Sequence, residues 1–352
     1  MKRFAMSGLW AATVFGALLV PCCHAQQPPL PSAEPPLPPA EPPLPMPGSA
    51  GNQPVLHVTT TEVLVPTLVE DRNGDVLYGL HTGDFVVEDN GIRQQIRVQE
   101  EMDTAPVALV VAVELGGASV LEFGKLSHMG PLLDTMLTDP RSHVALVGFD
   151  SSPELLQDFT HSGDEINHAL EHLEPGDGGA SILDTVSYGV DLLNSEPKEY
   201  RRVLLLISEE RDHGSKHIKA EQLAAKVGAS DVLVMSVTFR PFAAELAHDA
   251  KDSGEQRTTS MISALWTVVQ AFKRNVAKEV AEMSGGQYTT FVGDKRFEAR
   301  ILDVARHVRN RYLITFHPSN PTPGLHTLKV STREDYGAHV VARSNYWLEG
   351  GQ

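Results

Sequence analysis

Cysteine is nearly missing from this chain: of 352 residues only Cys22 and Cys23 carry a thiol, and both lie in the leading segment. A form shortened past them has no thiol at all, which excludes disulfide scaffolding and thiolate chemistry. Basic residues are also in deficit. Lys and Arg number 29 against 45 Asp and Glu, for a formal charge of -16, and losing Lys2 and Arg3 deepens the imbalance. Such a surface repels nucleic acid and anionic membranes, so neither is expected as a partner. Beyond the leader there is no run of about 18 apolar residues, so no further membrane span is expected. A G-x-S-x-G elbow, which would support a nucleophile beside a base, is likewise missing.

What the chain does have begins with MKRFAMSGLWAATVFGALLVPCCHAQQ, a basic tip followed by an apolar stretch from Met6 to Val20, with small residues at Cys23 and Ala25. Residues 1–25 read as a secretory signal cleaved after Ala25, which predicts an exported protein: periplasmic, surface-bound or secreted. Leu19 ahead of Cys22 also spells a lipoprotein signal, although Pro21 is a poor neighbour for a lipidated cysteine. Residues 26–54 hold three seven-residue units, PPLPSAE, PPLPPAE and PPLPMPG. Dense proline favours an extended polyproline helix and builds no core, so this stretch is expected to be a semi-rigid spacer.

Residues 55–104 change to short strands: VLHVTTTEVLVPTLVE, VLYGL and DFVVEDNGIRQQIRV. Asn73-Gly74 and Asn90-Gly91 are hairpin signals, since both central residues of that turn need positive φ. Asp71, Asn73 and Asp75 imitate the opening of a calcium loop, but no Glu closes it.

From Ala105 to Val113 the chain is apolar and β-branched, as in a strand buried on both faces. Strands and helices then alternate to residue 293. The pattern predicts a helix over 121–137 weakened by Gly130 and Pro131, a strand at 143–149, and a helix at 164–173. A helix carrying Ile182, Val186, Val190 and Leu193 follows, then a strand at 202–208, a helix at 218–227 and a strand at 232–239. Next come a polar loop over 240–260, one helix from Met261 to Met283 stopped at Gly285-Gly286, and the strand QYTTF. The alternation implies an α/β class, a Rossmann-like doubly wound and mostly parallel sheet, over 105–293. Residues 294–352 add a helix at 297–309 and a β tail, expected to join the 55–104 segment in one β-sandwich beside the sheet.

Taken in order from Thr60 to Trp347, LVEDRNGDVLYGLHTGDFVVEDNG, VALVVAVELGGAS, VALVGFDSSPELLQDFT, GDGGASILDTV, VLLLISEERDHGS, MSGGQYTTF and RYLITFHPS resemble the von Willebrand factor A (VWA) domains. Within them the chain resembles the VWFA-related family described from acidobacteria. The resemblance implies a metal-ion-dependent adhesion site at the carboxyl ends of the strands. There a D-x-S-x-S motif, a Thr and an Asp hold magnesium or a related dication, which takes a carboxylate from a partner. Such a site needs a near-octahedral set of hard oxygens with one position open.

In this sequence the D-x-S-x-S positions fall on Glu114, Gly116 and Ala118, the Thr position on Ala180 and the second Asp on Glu209. Gly116, Ala118 and Ala180 offer no side-chain oxygen, while Ser119 and Ser181 each stand one residue late. The adhesion site therefore reads as degenerate. No cofactor is expected, with Mg2+ or another divalent cation held weakly if at all. What the resemblance leaves is a non-enzymatic protein-binding module whose contact candidates are Glu114, Ser119, Ser181, Glu209, Glu210 and Asp212. A remodelled site that still holds a cation, and a metal-assisted hydrolase, are the alternatives.

Two other spellings are weaker. His168-Ala169-Leu170-Glu171-His172 matches the zinc-protease pattern H-x-x-E-H, but helical spacing turns His168, Glu171 and His172 to solvent, with no third ligand in view. Phe123-Gly124-Lys125 lacks the earlier glycine and the hydroxyl of a phosphate loop.

Overall fold

A computed structural model describes residues 62–99, 105–116, 119, 123–126, 129–239, 261–291, 294–334 and 337–350. These fall in one compact unit, Val58–Gln352. The expected signal, proline spacer and 240–260 loop lie outside the described residues, as does Ala118.

Four short strands come first: β1 (Val63–Glu70), β2 (Phe85–Asp89), β3 (Ile92–Arg93) and β4 (Ile96–Gln99). The alternating part follows as β5 (Val107–Glu114), α1 (Phe123–Leu126), α2 (Gly130–Asp134), β6 (His143–Phe149), β7 (Pro153–Thr160), α3 (Gly163–Glu171) and α4 (Ile182–Ser195). It continues through β8 (Arg201–Ser208), α5 (Ala220–Ala229), β9 (Leu233–Phe239), α6 (Met261–Phe272), α7 (Val276–Ser284), β10 (Tyr288–Phe291) and α8 (Asp294–Arg309). The tail supplies β11 (Tyr312–Phe316), β12 (Gly324–Thr332), β13 (His339–Ala342) and β14 (Asn345–Leu348).

Six strands form the main sheet in the order β10-β9-β8-β5-β6-β7, all parallel except β7, which runs antiparallel to β6. All eight residues of β5 are buried because helices cover both faces. On one face Ala108, Val110 and Ala112 pack with Ile182, Val186, Val190 and Leu193 of α4 and with Leu223 and Val227 of α5. On the other, Leu109, Val111 and Val113 pack with Leu133 of α2, Ile166 of α3 and Ile301 and Val304 of α8. This is the doubly wound α/β arrangement that the sequence implies.

The expected pairing of the two β segments also forms. β1 lies between β11 and β13, and β12 lies between β2 and β14, so each of two four-stranded sheets mixes N-terminal and C-terminal strands. Val63, Val65 and Phe316 from one sheet meet Phe85, Val87, Leu328 and Tyr346 from the other in a shared core. Asn90 (φ 48°) and Gly91 (φ 79°) make the β2–β3 hairpin turn as expected.

Several local expectations change. At Asn73-Gly74 only the glycine has positive φ, and the loop is held by the Asp71 carboxylate, which accepts from the Asn73 and Asp75 amides at 2.7 and 2.9 Å. VLYGL makes a single bridge, Glu70 to Val76, rather than a strand. The helix expected over 121–137 is split into α1 and α2, with Pro131 at the start of α2 where its missing N–H costs nothing. The helix expected over 261–283 breaks at Asn275, whose side chain accepts from the Lys278 amide at 2.8 Å and starts α7 afresh. Asn275→Ala is expected to lower stability by about 1 kcal/mol, read as a fall in urea midpoint with an unchanged slope. No helix among the described residues is long and apolar enough to cross a membrane.

Candidate functional site

After β5 the chain passes to β6 on one side, and after β7 it returns to β8 on the other. The carboxyl ends of β5 and β8 thus flank the point where the winding reverses, where open α/β sheets leave a crevice. Glu114 ends β5 and Ser208 ends β8, and Val113 faces Ile207 in the register just below them. Four loops meet above. The Leu115 amide donates to the Phe149 carbonyl and the Gly176 amide to the Leu115 carbonyl. The Ser181 amide donates to the Asp150 carbonyl and the His213 amide to the Ala180 carbonyl, at 2.7 to 3.0 Å across the four bonds.

The loops are packed closely enough that glycine is required for space. A Cβ on Gly116 would stand 2.4 Å from the Gly179 carbonyl oxygen and 3.0 Å from the Gly178 backbone. Gly116 does not have positive φ, so contact and not backbone conformation excludes a side chain there.

Glu114 is only 1% exposed and accepts from the Glu209 amide at 2.8 Å. Burial pushes its carboxyl up to about 8, against the amide bond and with help from the charge of Glu209. Glu209 is itself raised by burial, while His213, whose Nε2 lies 2.6 Å from the Glu209 carboxylate, works in the other direction. At neutral pH the Glu114 carboxyl therefore keeps its proton. The charge a cation would balance is already reduced.

The remaining expected residues do not gather into an oxygen cage. The Ser119 hydroxyl turns back to the Gly116 carbonyl at 2.5 Å. Asp212 accepts from the Leu183 amide at 3.0 Å and the Ser215 hydroxyl at 2.5 Å, fixing the β8 loop to the start of α4. Glu210 accepts from the Tyr288 hydroxyl at 2.9 Å and so faces β10. Ser181 is fully buried and its hydroxyl has no partner among the described residues, as is true of Thr185 one turn later. With Gly116 pressed on backbone and Ala180 bare of oxygen, these donors do not fit a six-coordinate hard cation. No group of three or more His, Cys, Asp or Glu among the described residues could hold a metal ion. His168 and Glu171 on α3, and His172 just past its end, are exposed, as helical spacing requires.

Two groups of loop organisers carry no motif in the sequence. Asp184, in the first turn of α4, accepts from the amides of Lys216, His217 and Ile218 and from the His217 ring, which hold its carboxyl below the ordinary range against the effect of burial. Asp150 and Asp177 fasten neighbouring loops: Asp150 accepts from the Asp177 amide at 3.1 Å, and Asp177 accepts from those of Ser151 and Gly179 at 3.2 and 2.9 Å. The only sequence trace of this role is the density of Asp and Gly in these loops, which suits side-chain to backbone turns.

Residues 122–211 match the von Willebrand factor type A domain family. That stretch contains Ser181 and Glu209 and begins after Glu114. No curated protein matches the chain. Among solved structures, BatB from Bacteroides thetaiotaomicron is 15% identical, with 57% of this chain and 98% of that one covered and a TM-score of 0.39. A von Willebrand factor type A protein from Catenulispora acidiphila is 7% identical over 83% of this chain and 75% of its own, with a TM-score of 0.42. The vWF domain of the type V pili tip protein Mfa5 from Porphyromonas gingivalis is 12% identical over 58% and 95%, also at 0.42. The stretch that matches the von Willebrand factor type A domain family, residues 122–211, runs from α1 to just past β8 and so lies within the doubly wound sheet whose loops gather at the switch point.

Proposed function

We propose that the protein is an exported, non-enzymatic interaction module with a degenerate adhesion site, which binds a protein partner without a divalent cation through the loop face that carries Glu209, Glu210 and Asp212 over the buried Glu114, Ser119 and Ser181. The observation that supports this reading is the closeness of the Gly178–Gly179 backbone to Gly116, where a Cβ would stand 2.4 Å from the Gly179 carbonyl oxygen. Export rests on the leading segment, and the scaffold role on the family match and the absence of a nucleophile motif. A remodelled site still holding a cation is the second reading, favoured by the buried, unpartnered hydroxyls of Ser181 and Thr185.

The mature chain, immobilised, is expected to retain the same envelope proteins in EDTA as in magnesium. It is expected to lose them in the double variant Glu210→Gln, Asp212→Asn, which removes charge from the loop face at nearly constant volume. Retention that vanishes in EDTA overturns cation independence, and retention that survives the double variant overturns the placement. Casein incubated with the protein and zinc is expected to stay uncut.

A further inference from the structure

On the opposite edge of the sheet from the loop face, at the amino ends of β8 and β9, a cavity of about 200 Å³ opens beside strands β1 and β11. Alternation along β1 turns Val63, Val65 and Thr67 into the sandwich core and leaves Leu64 and Pro66 on the outer face. An outer face that met only solvent would be expected to carry polar residues. Instead Leu64, Pro66 and Leu313, whose partner in register is Pro66, form an apolar wall, completed by Leu233 from β9.

Arg311 reaches this cavity and is only 4% exposed. Its Nε donates to the His307 carbonyl at 2.9 Å and one terminal nitrogen to the Gly285 carbonyl at 2.6 Å. The other terminal nitrogen has only the Met235 sulfur at 4.0 Å, and among the described residues no carboxylate lies within ion-pair distance. A guanidinium carries five N–H donors, so hydrogens remain without an oxygen acceptor. Burial, with Arg201 close by, pushes Arg311 down to about 9 against the opposing charge of Glu70, which still leaves it charged at neutral pH. The lining also carries Lys198, Arg201 and Arg202 against Glu199 and Asp231, so with Arg311 its balance is positive and suits an anion.

We propose that this cavity binds a small monocarboxylate with a short aliphatic chain, its carboxylate on Arg311 and its chain against Leu64, Pro66, Leu233 and Leu313. The apolar wall gives a bare inorganic anion nothing to replace its hydration, and favours an anion that carries an aliphatic chain. The site is independent of the loop face and of the function proposed for it.

Titration calorimetry on the full mature chain with pentanoate, pentan-1-ol and inorganic phosphate tests the proposal. Saturable pentanoate binding is expected, with pentan-1-ol at least roughly tenfold weaker because it lacks the charge-assisted bond, and with no phosphate binding. Leu313→Trp, which fills the cavity and leaves Arg311 in place, is expected to abolish pentanoate binding while circular dichroism stays unchanged. Equal binding of pentan-1-ol reduces the site to an apolar hole and overturns the proposal. So do phosphate binding as tight as pentanoate, pentanoate binding that survives Leu313→Trp, or no pentanoate binding at all.

Discussion

Gly116→Ser, which restores the residue that the adhesion-site pattern asks for, is expected to destabilise the protein by about 3 kcal/mol and to gain no affinity for magnesium. The new Cβ would stand 2.4 Å from the Gly179 carbonyl oxygen, and the next nearest atoms are also backbone. A flexible side chain could swing away, but here the 176–181 loop must move. That loop is tied to Leu115, to Asp150 and, through the Asp177 carboxylate, to Ser151. Moving it breaks several of these bonds at once. Urea denaturation measures the loss. An unchanged midpoint together with new magnesium binding would mean that the loop yields readily and that the cradle is latent.

Glu114→Gln is expected to raise stability at pH 9 by about 3 kcal/mol and to leave it nearly unchanged at pH 4.5. In the folded chain the Glu114 carboxyl titrates near 8, against an ordinary value of 4.5. Between those values the unfolded chain gives up a proton that the folded chain keeps, so stability falls as pH rises through that window and levels off above it. Glutamine keeps the oxygen that accepts from the Glu209 amide and carries no charge to desolvate, so that part of the slope disappears. The figure is set below the full linkage value because Glu209 shares the titration. Parallel pH-stability curves for parent and variant would show that Glu114 ionises freely and that the centre is open to water.

Much of this architecture is legible in the sequence where burial leaves a simple pattern. Val107 to Val113 reads as a central strand because both of its faces are covered, and Ile182, Val186, Val190 and Leu193 read as a helix stripe because one face is. β7 escapes this logic. It begins at Pro153, its Glu154 and Asp158 point outward, and it lies at an edge with mostly half-buried positions. The break before α7 is hidden for another reason: Lys273 and Arg274 continue a helical pattern, and only the local bond of Asn275 to the Lys278 amide ends it.

The candidate site divides in the same way. Which hydroxyls are missing, at Gly116 and Ala180, can be read directly from the residues. What occupies their place cannot, because the Gly179 carbonyl comes from a loop more than sixty residues away. The sandwich is legible in two separated β segments, whereas Arg311 carries no sequence signal, since its lack of an ion-paired carboxylate depends on how β11 meets α7 and α8.

Cation independence is tested most directly by titration calorimetry of the mature chain at neutral pH with magnesium, manganese and calcium. The close packing around Gly116 and the proton kept by Glu114 predict no heat beyond dilution up to millimolar metal. Micromolar binding that Glu114→Ala abolishes would contradict this, and would place a working cation site where the loops are found closed.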